Sequence, residues 1–210
     1  MWRAHGLGIE RGDGFLACTG IAPRFYPNVV TVDPATDPAA QLQGISQRAS
    51  RAPGPFSVKD SFRALALDSL GFEPLFEARW IHRPAAVARE TTRLNWRCVD
   101  DFGVLGDWEK AWSAGEDQHR LFLPAFLSGP GVTILAGCAN NTIEAGCIVT
   151  ATAGVAGLSN VFGDAGEAIR AAAMMFPDLD LVGYERGDGL DAALDAGFRE
   201  VGDLVVWERR

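Results

Sequence analysis

The sequence predicts an α/β (α+β) protein: a mixed, mostly antiparallel sheet flanked by helices and containing a duplicated half-domain. Three observations carry this reading. The end of the chain echoes its beginning. Near both ends, apolar alternation gives way to helical spacing and back again, in the order strand, helix, strand. Finally, 48% of the 210 residues are hydrophobic, enough to bury a sizeable core.

The echo aligns without a gap over its best stretch. The run from Phe56 to Phe72 reads like the run from Val182 to Phe198 at an offset of 126 positions, and a Trp follows each, Trp80 and Trp207. Upstream, Gly14-Phe-Leu-Ala-Cys18 faces Gly146-Cys-Ile-Val-Thr150, and Asn28-Val29 faces Asn160-Val161, at an offset of 132. A connecting loop is then six residues longer in the first copy. Such a unit is too long for a solenoid repeat and reads as a half-domain. Trp80 and Trp207 read as equivalent packing residues at the ends of equivalent strands.

In chain order, Gly14 to Ile21 and Phe25 to Val32 read as extended. Asp37 is placed to cap a helix with Pro38 at its first position, running to about Ser50. Phe56 to Val58 is a short buried strand, Ser61 to Leu70 a helix with Gly71 just past its end, and Glu73 to Ile81 a strand. The polar, Ala-rich stretch 85–92 reads as a connector between a half-domain over 1–84 and a fuller domain over 93–210. Within that domain Leu94 to Val99 is a strand, and helices are expected from Asp107 and over Gln118 to Leu127. Val132 to Ala139 and Thr142 to Ala151 flank Asn140-Asn141, a pair that tolerates the positive φ of a tight hairpin. Gly154 to Phe162 is a Gly-interrupted strand, and Glu167 to Met175 a helix stopped by Pro177. A strand over Leu181 to Tyr184, a helix over Gly189 to Ala196 and a strand over Arg199 to Trp207 complete the chain.

Charge and composition narrow the partners. The net charge is −8, against nucleic acid and against an anionic membrane surface. No apolar run approaches the ~20 residues of a membrane span. Met1-Trp-Arg-Ala-His-Gly lacks the apolar region of a secretory signal, so a cytoplasmic location is expected. Cys18, Cys98, Cys138 and Cys147 show no metal-ligand spacing and read as buried free thiols. His5, His82 and His119 are scattered, giving no histidine-centred or metal site.

The element order, with Leu181-Val-Gly-Tyr-Glu185, Ala192-Ala193-Leu194 and Gly197-Phe198, resembles the GCN5-related N-acetyltransferase (GNAT) superfamily. The resemblance covers Thr92 to Arg210 as a nearly complete domain, with 1–84 as a truncated copy. It implies acetyl-CoA, or another acyl-CoA, as cofactor and an amine as acceptor. In such a fold the fourth and fifth strands splay at a bulge. The pantetheine arm pairs with the exposed fourth strand, and the pyrophosphate rests on the start of the next helix. Carried onto this chain, the cofactor site is Leu158, Ser159, Asn160 and Val161, with Gly163, Ala165 and Gly166 in the phosphate turn. Gly154 and Gly157 are placed to permit the bulge.

Two departures stand out. The phosphate turn is shortened, lacks the usual Arg or Gln and carries Asp164, which repels a phosphate but suits a helix cap. The family's general-acid Tyr is replaced by Ala193, and by Leu67 in the first copy. Tyr184 and Glu185, ending the fifth strand, are the candidate catalytic acid and base; equally, Tyr184 packs and Glu185 caps the next turn. Glu144 reads as a base or a solvated hairpin charge. Ser159 and Asn160 contact ligand or serve a turn that Pro27 and Asn28 repeat. Trp96, Trp108 and Trp112 read as one aromatic cluster, core or pocket wall. Two functions stay open: an acetyl-CoA-dependent N-acyltransferase of a small-molecule or peptide amine, or a non-catalytic binder of CoA or another ligand. A monomer or a homodimer is expected, a free strand edge being the route to the latter.

Overall fold

The computed structural model describes residues 1–86, 91–115, 120–152 and 154–210. It divides into two compact units, Met1–Ala78 with Gly202–Arg210, and Arg79–Val201. The division falls inside two long strands, β5 (Glu73–Arg83) and β11 (Arg199–Arg209).

In the first unit the strands β1 (Ile9–Gly12), β2 (Phe15–Cys18), β3 (Val29–Thr31) and β4 (Phe56–Asp60) lie side by side, with β11 next to β4. All neighbours are antiparallel except β3 and β4, which α1 (Pro38–Ala49) connects. The Asp37 carboxylate accepts the Ala39 N–H at 3.1 Å, and Pro38 follows it, so α1 starts where its capping signal lies. Its apolar stripe, Ile45 and Ala49, packs on Phe15, Val29, Phe56 and Val58. Trp207 packs on the same core.

The expected helix over Ser61 to Leu70 is only a 3-10 turn, Leu67–Leu70. The buried Asp60 carboxylate accepts the N–H groups of Leu65 at 2.9 Å and Phe62 at 3.3 Å, and Arg63 has a φ of 51°. These donors go to a side chain instead of to helix carbonyls. Helical spacing of apolar residues does not reveal that competitor.

In the second unit the order is β5, β10 (Asp180–Glu185), β9 (Val155–Phe162), β8 (Thr142–Thr152), β7 (Val132–Ala139), β6 (Asn95–Cys98). Only β9 and β10 are parallel, connected by α3 (Ala165–Met175). The hairpin between β7 and β8 turns at Asn140 and Asn141, with φ of 49° and 63°, as their residue types predict. α3 and α4 (Gly187–Asp195) lie on one face, burying Leu135, Cys147, Val149, Ala156 and Leu181 under the α3 alanines. α2 (Phe102–Trp112) lies on the other, with Asp101 as its cap, six residues ahead of Asp107, the expected one. Of the expected helix over Gln118 to Leu127, the described part is a 3-10 turn at Pro124–Phe126; its first residues lie outside the described ones.

The fold class is thus the expected one, a mostly antiparallel mixed sheet with four α-helices among the described residues. The aromatic cluster is corrected. Trp108 and Trp112 both meet Phe122 edge-on, at 5.2 and 5.3 Å, whereas Trp96 packs on the α3 side. The thiols are corrected too: all four are free, but only Cys147 is buried, and burial pushes it up to about 12. Among the described residues no helix is long and apolar enough to cross a membrane, and no group of His, Cys, Asp and Glu could hold a metal ion.

Glu109, buried on α2, accepts the N–H groups of Leu121 and Phe122 and so pins the chain that carries Phe122. Glu109→Ala strands both donors, and a loss of about 1–3 kcal/mol is expected. Urea unfolding should show it as a lower midpoint with an unchanged slope.

Candidate functional site

Parallel pairing between β9 and β10 runs through Val155–Asp180, Ala156–Leu181 and Gly157–Val182, and then stops. β10 continues beside β5, Tyr184 opposite Trp80 and Glu185 opposite Arg79. The cause lies on the other edge of β9. Against β8, Ile148 pairs with Ser159 but Gly146 pairs with Phe162, so β9 carries an extra residue, a β-bulge. Asn160 absorbs it in the left-handed region, φ 51°. The bulge is therefore not at Gly154 or Gly157, as the glycines had led us to expect. Gly154 turns the β8–β9 connection at φ 80°, and Gly157 pairs regularly with Thr150. At the branch point Gly183 does matter: a Cβ there would lie 3.1 Å from the Leu158 carbonyl oxygen.

The bulge also sorts the side chains. Leu158 and Val161 turn toward the α3 core, while Phe162 meets Trp108 of α2. Ser159 is exposed, its hydroxyl 3.4 Å from the Ile148 carbonyl and 3.3 Å from the Asn160 amide nitrogen. Asn28 does a different job from Asn160: its carboxamide oxygen accepts the Ser57 N–H at 2.8 Å.

Tyr184 and Glu185 are neighbours in a strand, so they point to opposite faces. Tyr184 stands edge-on to Trp80, ring centroids 5.5 Å apart, and is 37% exposed. Burial, and secondarily the Glu185 charge, push its pKa up, so the phenol keeps its proton at neutral pH. The Glu185 carboxylate turns to the start of α4, where Gly189 leaves room for it and the Arg186 N–H donates to it. Burial raises its pKa despite that bond. The structure does not bring these two residues together on one side of the strand. Glu144 is exposed on its hairpin.

The start of α3 is a knot of paired charges. The Asp164 carboxylate accepts the Glu167 N–H at 3.0 Å and the Arg93 guanidinium at 2.6 Å. The Glu167 side chain, 1% exposed, accepts from the backbone of Arg93 (2.9 Å) and Leu94 (3.1 Å) and from Arg170 (3.0 Å). Burial alone would raise its pKa, but the bonds from Leu94, Arg170 and Arg93 outweigh burial and hold it at about 2. Gly163, φ 71°, lies against the Glu144 carbonyl, where a Cβ would collide. Gly166 faces Arg170 and Asp164 closely. The Ala165 and Gly166 N–H groups have no partner among the described residues.

The residues present fit a CoA-type ligand in this way. The register of β9 with β10 ends at Gly157–Val182, so the backbone from Leu158 onward is where an amide-bearing arm would lie. A pyrophosphate at the start of α3 would meet the Ala165 and Gly166 N–H groups beside an Asp164 charge that Arg93 already balances. The first unit has no counterpart. β3 and β4 stay joined past Val30–Lys59, where Thr31 Oγ1 accepts the Ser61 N–H at 2.7 Å.

No protein-family model matches the sequence, and no curated protein is significantly similar to it. Solved structures do match. A GCN5-related N-acetyltransferase from Kribbella flavida superposes with a TM-score of 0.67 at 12% identity, over 97% of this chain and 89% of the other. A putative GNAT-family acetyltransferase from Novosphingobium aromaticivorans gives 0.58 at 12% identity, over 98% and 92%. A functionally unknown conserved protein from Staphylococcus epidermidis gives 0.67 at 10% identity, over 95% and 92%. The fold is that of the GNAT superfamily, as the residues around Leu181 to Phe198 led us to expect.

Glu167 titrates at about 2 when folded against an ordinary value of 4.5, so its stabilisation is complete above pH ~4.5 and lost as pH falls toward 2. Glu167→Gln should cost about 1–3 kcal/mol at pH 7 and little at pH 2. Thermal melts across that range should show a flatter acid limb.

Proposed function

We propose that the protein is an acyl-CoA-dependent N-acyltransferase acting on a small-molecule or peptide amine, with acetyl-CoA as the acyl donor. The observation that carries this is the end of β9–β10 pairing at Gly157–Val182, just before the bulge at Asn160. When bound, the acyl-CoA supplies an activated thioester carbonyl. The backbone of Leu158 to Val161 orients the arm and directs an N–H at the carbonyl oxygen. Ala165, Gly166 and Arg93 hold the phosphate end.

Chemically, the amine nitrogen bonds to the acyl carbon as the carbon–sulfur bond breaks. Tyr184 would give its hydroxyl proton to the leaving thiolate and recover one from water, to which the amine proton passes. Its raised pKa suits Tyr184 to hold that proton until it is needed. Glu185 faces α4, so its contribution is to anchor the helix start behind Tyr184. The similarity of the two chain ends supports a tandem origin, with the first copy degenerate.

A second reading has one observation in its favour: Asp164 already caps α3. In that reading the protein binds CoA or another ligand without transfer.

Isothermal titration with acetyl-CoA separates these readings from an inert fold. Micromolar binding, with acyl transfer to an amine panel and an approximately 10²-fold lower kcat in Tyr184→Phe at unchanged acetyl-CoA affinity, is the expected result. Binding without transfer selects the second reading. No heat from folded protein overturns both.

A further inference from the structure

The first unit holds a cavity of about 610 Å³ between the end of β2 and the link from α1 to β4. That volume falls among those of small-molecule sites, ~300–1,000 Å³. Asn28, just ahead of β3, and Pro55 and Phe56, at the start of β4, line it. It therefore lies where the parallel pair β3–β4 begins, whereas the site in the second unit lies past the last pair of β9 and β10. The link Arg51-Ala-Pro-Gly-Pro55 supplies an apolar wall: Pro53 and Pro55 have no N–H to offer water, and Ala52 packs on the core beside Phe56. Ile21 lines the cavity with a side chain that is 76% exposed.

The polar groups of the lining are donors held in place. The Asn28 backbone donates to the Ser57 carbonyl at 2.9 Å and accepts the Cys18 N–H at 3.0 Å, and its carboxamide oxygen accepts the Ser57 N–H at 2.8 Å. The oxygen is thus committed, and the amide nitrogen has no partner among the described residues. Arg48 is committed as well, to the Gly44 carbonyl at 3.3 Å and the Glu10 carboxylate at 3.3 Å. The Arg51 guanidinium has no hydrogen bond or ion pair among the described residues. Glu10 and Arg48 cancel, so Arg51 leaves the lining one positive charge in excess, in a chain whose net charge is −8. Burial raises the Cys18 thiol above its ordinary pKa, so it stays neutral and adds no opposing charge. We infer that this cavity binds a small monocarboxylate carried on an apolar chain. The carboxylate takes the fork of Arg51 and the Asn28 amide, and the chain lies along Ile21 and the prolines. Arg51 is exposed and its charge is screened by water, so the apolar wall supplies most of the affinity and the charge selects the head group.

Isothermal titration of the full chain with decanoate, decylammonium and butanoate tests this. Decanoate should bind once per chain and roughly tenfold more tightly than either of the others, which lack the matching head or the chain. Arg51→Glu, at an exposed position, should abolish the preference for decanoate over decylammonium. Gly54→Trp should weaken decanoate roughly tenfold by filling the cavity, because a Cβ at Gly54 meets nothing within 4 Å and the fold has no reason to shift. Equal affinity for decanoate and decylammonium, no saturable binding of decanoate, or decanoate binding that neither variant weakens overturns the inference. Where Gly54→Trp does not fold, Arg51→Glu decides. Decanoate carries no CoA moiety, and the cavity shares no residue with the candidate site of the second unit, so the outcome is independent of the transferase reading.

Discussion

The end of parallel pairing after Gly157 and Val182 is the constraint on which the rest of the site depends. Two strands of one sheet ordinarily satisfy each other's backbone groups to their ends. Here a single extra residue in β9, accommodated at positive φ by Asn160, follows closely on the last pair with β10. Leu158 to Val161 lie beyond the last of those pairs. The same bulge flips the alternation, sending Val161 to the α3 core and Phe162 to Trp108. Without it Phe162 would face the α3 core instead of Trp108. Gly183 makes the branch sterically affordable, because its Cα approaches the Leu158 carbonyl.

The charges at the start of α3 solve a second problem. Glu167 is inaccessible to water yet ionised, and it is stable because two backbone N–H groups and the guanidinium groups of Arg170 and Arg93 converge on it. It thereby fastens the chain entering β6 to the helix that follows the cleft. Asp164 and Arg93 complete a near-neutral set. A phosphate approaching α3 meets balanced charge, not the bare repulsion that an acidic turn implies when read alone.

The two units use related parts to different ends. Each has a parallel strand pair joined by a helix, β3–α1–β4 and β9–α3–β10, and each includes a strand from the far part of the chain. In the first, Thr31 and Asp60 use their side chains to tie β3, β4 and the following loop together. In the second unit the corresponding pairing ends at Gly157–Val182. The echo in the sequence is correspondingly uneven. Phe72 and Phe198 occupy matching core positions, but Phe56 packs in its core while Val182, opposite His82, does not face the α3 core. Trp80 and Trp207 are not equivalent either, since Trp207 joins the core and Trp80 the opposite face with Tyr184.

What the sequence determined by itself was local. Asp37-Pro38 and Asp164 mark helix starts, Asn140-Asn141 a hairpin and Gly71 a helix-like turn's end, because each signal acts within a few residues. The order of elements, and with it the fold class, follows from these signals and from apolar periodicity. The tertiary structure decided everything that depends on partners distant in the chain. Asp60 took the donors of the helix expected after it, a competition invisible to periodicity. Asn160, not a glycine, took the bulge, because the register of β8 sets where the extra residue must go. Tyr184 and Glu185 share a segment but not a face, and Arg93 reaches Asp164 across 71 positions. Residue types can nominate a site; which of them meet is settled by strand register and packing, which link residues far apart along the chain.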